Sequence, residues 1–423
     1  MKSVVRITPE GKVKTLGHGA VPPPMEAVDA TVALIQELIP LGLQAVAESL
    51  EAEVTRLAGP RYCRTGGEPG HVRWSREQGS VYLLDQKLPI TYQRVRDRHA
   101  NVEVPLPAYQ ALQAPRAADA GLFRRILLGL SCRNYAACAE AVPAAFGLSA
   151  STVSRRFIRA SAKALEALTT RRLDGYDIVA LVLDGKGFGD DEMVIALGIT
   201  STGEKVVLGF VQTATENERV CATFLRELVA RGLRWAQGLL CVIDGAKGLR
   251  KALQTVFGGQ AVVQRCQWHK RKNVCDYLPP AQQAAWQRKL QVAYERPTYA
   301  AAKTALGRVR AELRVVNESA VTSLDEGLEE TLTLHRLGVF PALGVSLKTT
   351  NCLESVNALV GARTDKVDHW RSSDQKRRWL AAALLDIEPR LRRIKGYRAL
   401  PRLRAALQGA IRGQETVTRT QAA

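Results

Sequence analysis

Residues 178–213 read IVALVLDGKGFGDDEMVIALGITSTGEKVVLGFVQT. Three apolar, β-branched runs stand in this stretch, Ile178–Leu183, Met193–Thr200 and Lys205–Val211, parted by Gly187–Asp191 and Ser201–Glu204. The two connections are short and rich in Gly and acidic residues, which suits hairpin turns, so the spacing predicts an antiparallel meander. Further along, the period changes. Asn217–Ala230 sets Val220, Phe224 and Leu228 on one helical stripe, Leu239–Ile243 reads as a short buried strand, Lys247–Val256 as a helix and Ala261–Gln264 as a last strand. A meander followed by helix–strand–helix–strand predicts a mixed five-stranded sheet, antiparallel on one side and parallel on the other. From Cys275 to about Arg336 the strand signal is gone, and Trp286, Leu290, Tyr294, Leu306, Val309 and Leu313 mark helices. A helical insertion is expected there, with a helical continuation from Lys348.

Among familiar α/β layouts this is the element order of a ribonuclease H-like fold. Composition bounds what such a protein does. Its 423 residues hold 60 Lys and Arg against 41 Asp and Glu, a formal charge of +19. Cations in that excess displace the counterions of a polyanion, which favours a nucleic-acid partner, although ribosomal and membrane-surface proteins share the property. The longest apolar runs, such as Trp379–Leu385, fall far short of the roughly 20 residues that span a bilayer. The first 25 residues have no apolar core of a secretory signal, and eight cysteines without a CxxC pair read as reduced thiols. A cytoplasmic protein with neither membrane nor disulfide framework is expected.

Upstream of the sheet, the segment to Met25 reads as an extended arm, and Glu26–Leu57 as two helices kinked at Pro40. Ser80–Leu84 and Leu88–Val95 resemble a hairpin, and the alternation of Arg94, Arg96 and Arg98 puts three guanidinium groups on one face of a strand. Such a strand is equally a charge-protected sheet edge and a DNA-contacting ribbon. Arg133–Phe146 and Ala150–Leu168 read as helices around the turn Gly147-Leu148-Ser149, with Ser149 as N-cap. Val153 and Phe157 then face the core while Ser151, Thr152, Arg155 and Arg156 point outward, as on the recognition helix of a helix-turn-helix. The basic stretch Arg371–Arg412 is either a solvated helical face or a clamp on phosphates, and its density favours the clamp.

Two buried strands end alike, in Leu183-Asp184-Gly185 and Ile243-Asp244-Gly245. Each aspartate alone is what a turn after a strand commonly contains. Together, on neighbouring strands about 4.8 Å apart, two carboxylates repel unless a divalent cation lies between them, and hard oxygen ligands suit Mg²⁺ or Mn²⁺. A third carboxylate is expected from Thr349-Thr350-Asn351-Cys352-Leu353-Glu354, where Thr350 or Asn351 caps a helix and Glu354 sits in its first turn. Asn351 and Asn357 could steady that carboxylate or touch phosphate. In Cys266-Gln267-Trp268-His269-Lys270-Arg271-Lys272, Cys266 and His269 could be half of a zinc site with Cys275, although a packed thiol with a histidine near the active centre is the better reading. Lys270, Arg271 and Lys272 read as a basic turn for phosphate. Asp190-Asp191-Glu192 is most simply a turn, with the capacity to compete with Asp184 as a ligand. No P-loop and no GxSxG elbow occurs, which argues against a nucleotide motor and a serine hydrolase.

These motifs, with Glu216–Leu233, Gln264–Lys270 and Asn273, resemble the Mutator-type transposases of bacterial insertion sequences, members of the DDE class. They run in the family's order over about half of the chain; the arm before Arg61, Arg61–Val81 and the tail after Leu380 depart from its common members. The resemblance implies that Asp184, Asp244 and Glu354 are the catalytic triad, holding two Mg²⁺ or Mn²⁺ ions per site, and that Cys266 and His269 are the CxxH signature. It implies double-stranded DNA as partner, at the element's terminal inverted repeats and at the target, with a homodimer pairing two ends in the bacterial nucleoid and no small-molecule substrate. The expected organisation is an arm with helices and a small β region (1–110), a helix-turn-helix DNA-binding region (111–172), a catalytic core in two parts (173–270 and 346–423) and the helical insertion (271–345). Rival expectations are a catalytically retired transposase that only binds DNA, and a structure-selective nuclease of the same fold.

Overall fold

A computed structural model of the chain describes residues 5–7, 13–15, 42–62, 67–83, 86–113, 123–124, 126–128, 150–213 and 217–422. The chain divides into two compact units, Met1–Ile126 with Leu130–Phe157, and Leu127–Gly129 with Ile158–Ala423.

In the first unit a short antiparallel pair, β1 (Val5–Ile7) and β2 (Val13–Thr15), precedes helix α1 (42–58). The expected hairpin is present and longer than its apolar runs suggested: β3 (His71–Leu83) pairs with β4 (Gln86–Asp97), which pairs in turn with β5 (Val102–Val104). Helix α2 (Pro107–Leu112) follows. Val46, Leu50 and Val81 form one core cluster of this unit, and Val54, Leu57, Val95 and Leu106 a second. Arg73 fastens β3 to α1, donating to the Gly59 carbonyl (2.9 Å), Glu51 (2.7 Å) and the Thr55 hydroxyl (2.8 Å). Because β4 lies between β3 and β5, it is no simple edge strand. Its arginines are engaged at home: Arg94 pairs with Glu103 and Glu77, and Arg96 lies over the Trp74 ring and donates to the Asn101 carbonyl. The first helix of the kinked pair before Pro40 lies outside the described residues.

Helix α3 (Ala150–Thr170) runs from the first unit into the second. The sheet of the second unit has the order β10-β9-β6-β7-β8. Strands β6 (Ile178–Phe188), β7 (Asp191–Thr200) and β8 (Lys205–Thr213) form the antiparallel meander. After α4 (Glu218–Ala230), β9 (Leu239–Ile243) returns parallel to β6; after α5 (Lys247–Phe257), β10 (Ala261–Arg265) lies parallel to β9. The mixed five-stranded sheet expected from the period changes is therefore present.

Alternation along each strand sorts side chains to two faces. Leu181, Leu183, Leu239, Cys241 and Ile243 share one core with Phe224, Leu225 and Leu228 of α4 and Leu249 and Leu253 of α5. The residues between them, Ala180 and Val182 on β6, Leu240 and Val242 on β9, are buried on the opposite face.

Helices follow from Gln267 to Thr364: α6 (Gln267–Cys275), α7 (Pro280–Tyr294), α8 (Tyr299–Val316), α9 (Glu318–Asp325), the single turns α10 (Leu328–Thr331) and α11 (Thr333–Arg336), α12 (Phe340–Leu347) and α13 (Asn351–Thr364). The expected stripe of Trp286, Leu290, Tyr294, Leu306, Val309 and Leu313 is buried in a separate helical core with Val274 and Leu324. This helical body is fastened to the sheet at β10. The Gln264 amide donates to the Thr331 carbonyl (2.9 Å) and accepts from Leu334 N–H (2.9 Å), while the Thr333 hydroxyl donates to the Val263 carbonyl (2.7 Å). Helices α14 (Ser373–Ile387) and α15 (Leu400–Ala422) complete the unit, with α13 and α15 against β6 and α14 against β8. Among the described residues, no helix is long and apolar enough to cross a membrane.

Candidate active site at the ends of two parallel strands

The parallel register pairs Ala180 with Leu240 and Val182 with Val242, so one further alternation sets Asp184 beside Asp244 on the face turned away from α4 and α5. Asp184 is the end of a buried run and is itself only 6% exposed. Asp244 follows the five buried residues of β9 and is half-buried. Its Oδ1 accepts from Ala246 N–H at 2.9 Å, the local turn that lets the chain leave the strand and enter α5. Gly245 between them has φ +115°, and a Cβ there would lie 2.1 Å from Nε of Arg265. Only glycine fits both the backbone and the guanidinium packed against it.

Glu354 arrives from the first turn of α13, half-buried. Thr350, at the N-cap position, makes no cap bond; its hydroxyl instead faces Glu354 Oε1 at 3.3 Å and Cys266 Sγ at 3.8 Å, and it lies near enough to Asp184 to act on its carboxyl. One hydroxyl proton serves these acceptors, so Thr350 can donate to only one at a time. Burial, and then the charges of Asp244 and Glu354, push the Asp184 carboxyl up to about 7, with Thr350 acting the other way. Asp244 and Glu354, the other two carboxylates that the sequence put forward, thus lie within electrostatic reach of Asp184. They are neighbours in charge and not a finished cage: among the described residues, no three His, Cys, Asp or Glu side chains are gathered closely enough to hold a metal ion.

Cys266 caps the start of α6, fully buried, its thiol pushed up by burial, and the Gln267 N–H donates to the Lys348 carbonyl at 2.9 Å. That bond and the Cys266–Thr350 contact tie the CxxH segment to the segment that carries Glu354. A zinc set with His269 and Cys275 is not assembled among the described residues, and Cys266 is a packed thiol beside the carboxylates. His269 Nδ1 and Asn357 Oδ1 are buried and have no hydrogen-bond partner in the structure.

Several expected DNA contacts are placed differently. Lys270, Arg271 and Lys272 lie on helix α6 and not on a turn. Lys270 is 0% exposed and donates to the carbonyls of Ser323 (2.6 Å) and Glu326 (2.5 Å); burial lowers its ammonium to about 8. It faces inward because the stem and head bridge α6 to the end of α9. Arg271 donates to Gln291 (3.0 Å), and Lys272 makes an exposed pair with Asp276. Asn351 is exposed and Asn357 half-buried. On α3, Val153 and Phe157 are buried, and Ser151 and Arg155 exposed, as expected. Arg156 is the exception: it turns inward, its guanidinium over the Tyr82 ring and bonded to the Tyr82 hydroxyl at 2.8 Å. Arg133–Phe146 and the turn before Ala150 lie outside the described residues; of Thr152 the structure gives the helical backbone alone. Asp191 opens β7 and is paired with Lys376 (2.6 Å), which occupies it as a ligand. In the basic tail, Arg378, Arg390, Arg393 and Arg404 pair with Asp374, Asp386, Glu204 and Asp177, so part of that charge is neutralised within the fold.

Two residues of the site do more than the sequence assigns them: Thr350 reads as a cap and as part of the motif that carries the family resemblance, and Arg265, buried against Gly245 and donating to the Glu326 carbonyl (3.0 Å), has no role of its own in the sequence reading. The polar pair Thr349-Thr350 before a helix start gave a local signal for the first; no local pattern marks the second.

The sequence model described as "Transposase, Mutator family" matches residues 87–392. The chain is 31% identical over 175 residues to the transposase for insertion sequence element IST2 of Acidithiobacillus ferrooxidans, covering 41% of this chain and 57% of that one. It is 27% identical over 198 residues to the transposase for IS256 in transposon Tn4001 of Staphylococcus aureus, covering 46% and 48%. With the transposase for IS1201 of Lactobacillus helveticus it shares 25% identity over 329 residues, 75% and 85% of the two chains. The first two matches span about half the length of those relatives. A family match over residues 87–392 takes in the β4 hairpin strand, the whole mixed sheet and all three carboxylates, and on that ground the chain belongs to the Mutator family of transposases.

Proposed function

We propose that the protein is a DDE-class DNA transposase with a ribonuclease H-like core, which binds the terminal inverted repeats of an insertion sequence and cleaves and rejoins DNA strands to move it. The observation that carries the reading is that Asp184 and Asp244 end neighbouring parallel strands and that the charge of Glu354, bonded to Thr350, acts with that of Asp244 on the Asp184 carboxyl. The donors are hard oxygens, and the charges acting most on Asp184 share its sign, which fits divalent cations. The orphaned Asn357 Oδ1, one turn beyond Glu354, is a further acceptor buried without a partner. Asp184, Asp244 and Glu354 would hold two Mg²⁺ or Mn²⁺ ions, which when bound acidify the attacking water or DNA 3′-hydroxyl and stabilise the leaving 3′-oxygen.

The chain's own groups act around that chemistry. Thr350 fixes the direction of the Glu354 carboxylate and links it to Asp184; Cys266 holds Thr350 from behind; burial of Asp184 keeps bulk water from it. Helix α3, with exposed Ser151 and Arg155, is the proposed DNA-reading helix of a helix-turn-helix, acting in a homodimer that pairs two element ends in the bacterial nucleoid. A second reading, a retired transposase that binds DNA without cutting it, draws on the formal charge of +19, which DNA binding alone would account for.

The test incubates purified protein with a labelled element end and Mg²⁺. Nicking and strand joining by the wild type, lost in Asp184→Asn and Glu354→Gln with DNA affinity kept, is the expected result. Binding without cutting or joining in the wild type, identical in both variants, would overturn catalysis in favour of the second reading. Cutting confined to branched DNA, with no joining, would point instead to a structure-selective nuclease.

A further inference from the structure

Trp268, inside the CxxH segment, is 41% exposed, and its ring is braced edge-on by His269, with centroids 4.7 Å apart and planes at 82°. Beside it opens a groove of about 220 Å³ lined by Trp268, Arg271, Lys272, Asp276, Gln283 and Gln287. A single exposed aromatic is ordinary; its company here is not. Apart from the indole, every lining side chain is polar or charged, so an apolar side chain of a protein partner would find one apolar wall and desolvate the rest. A flat heterocycle with polar edges and an attached phosphate matches the indole, the two amides and the two cations of the lining, with the Asp276 carboxylate as the one element that opposes it. The indole offers a stacking face, Gln287 and Gln283 (whose NH2 also donates to the Leu278 carbonyl at 3.0 Å) offer amide groups to ring edges, and Arg271 and Lys272 supply positive charge. The pairing of Lys272 with Asp276 is exposed on both sides and contributes little, so a phosphate can replace it. Bases inside a duplex are already stacked on one another, so only an unpaired or extruded base can use such a platform.

We infer that the Trp268 groove is a binding site for an unpaired nucleobase of a DNA strand. The groove begins two residues from Cys266, whose sulfur contacts the hydroxyl that faces Glu354, so the base it holds belongs to the DNA near the site of strand cleavage. This inference rests on the reading of the protein as a DNA-processing enzyme and adds to it a single-strand subsite.

The experiment measures binding and no chemistry, by fluorescence anisotropy in EDTA. Its probes are a labelled oligothymidylate and an abasic deoxyribose-phosphate strand of equal length and charge. One stacked base is worth about five-fold or more in affinity, so the wild type is expected to prefer the base-bearing strand by at least that factor. Trp268→Ala should bring the ratio of the two affinities to near one with abasic affinity unchanged; Trp268→Phe should keep most of the preference, and Asp184→Asn all of it. An unaltered ratio in Trp268→Ala, or no base preference in the wild type, would overturn the inference. Because no metal or cleavage is involved, loss of this preference and failure of the strand-transfer assay are separate outcomes.

Discussion

At the scale of single residues the site is set by one unfavourable ionisation. Asp184 takes its proton with a pKa of about 7 in the folded protein against 3.8 for an ordinary aspartate. Between those values the folded chain binds the extra proton, so the stability attached to Asp184 is intact below about 4 and lost as pH rises through about 7. At about 1.36 kcal/mol per unit the loss reaches up to about 4 kcal/mol. Asp184→Asn, which cannot ionise, should therefore gain in melting temperature over the wild type as pH climbs from 5 to 8 in chelator, and millimolar Mg²⁺ should shrink that gain. A difference that stays flat with pH would mean that the carboxylates do not press on one another. Thr350 makes a second case. Thr350→Val keeps the volume and removes the hydroxyl, and partners that orient ligands are typically worth 10–100-fold. We expect strand cleavage to fall by about that factor, Thr350→Ser to restore it, and the half-saturating Mg²⁺ concentration to rise in Val alone.

Elements explain why those residues meet. Strands β6 and β9 run parallel with a register offset that sets equivalent positions side by side, and each ends in an aspartate followed by glycine. This much was legible in the sequence, because alternation and strand length are local properties, and the duplicated Asp-Gly ending marks the strand ends. Glu354 was legible through its helix start. What was not legible is tertiary. Lys270 and Arg156 read as surface cations because their neighbours are basic and polar, yet Lys270 finds the carbonyls ending α9 and Arg156 finds the Tyr82 ring, partners 53 and 74 positions away. Gln264 likewise looks like any strand residue and turns out to fasten the helical body to β10. Gly245 gives the element-scale prediction. With φ +115° and Arg265 where a Cβ would go, Gly245→Ala must displace the guanidinium and strain the turn after β9. A loss of about 2–4 kcal/mol in urea unfolding is expected, together with loss of strand cleavage out of proportion to stability. An alanine variant with wild-type activity would show that the Asp244 turn is not held by this contact.

Across the whole molecule the formal charge of +19 has to be divided between cations that hold the fold and cations open to a partner. The structure takes many of them inward: Arg73, Arg171, Lys270, Arg378 and Arg404 all pair within their own unit, Arg171 by two 2.7 Å bonds to Glu388 that also accepts the Val207 N–H. Others, Arg392, Lys395, Arg398 and Arg402 among them, stand exposed after α14. If these exposed cations meet DNA phosphates, affinity depends on salt through the counterions released, with a logarithmic slope near −0.9 per phosphate contact. Replacing Arg392, Lys395, Arg398 and Arg402 by glutamine should flatten the slope for a duplex by about 0.9 for each residue that touches a phosphate. Replacing an internally paired arginine such as Arg171 should change stability and leave the slope alone. Titration of a fluorescent duplex from 50 to 200 mM salt reads both. An unchanged slope in the fourfold variant would remove the tail from the DNA interface and leave the positive charge of other surfaces to account for binding.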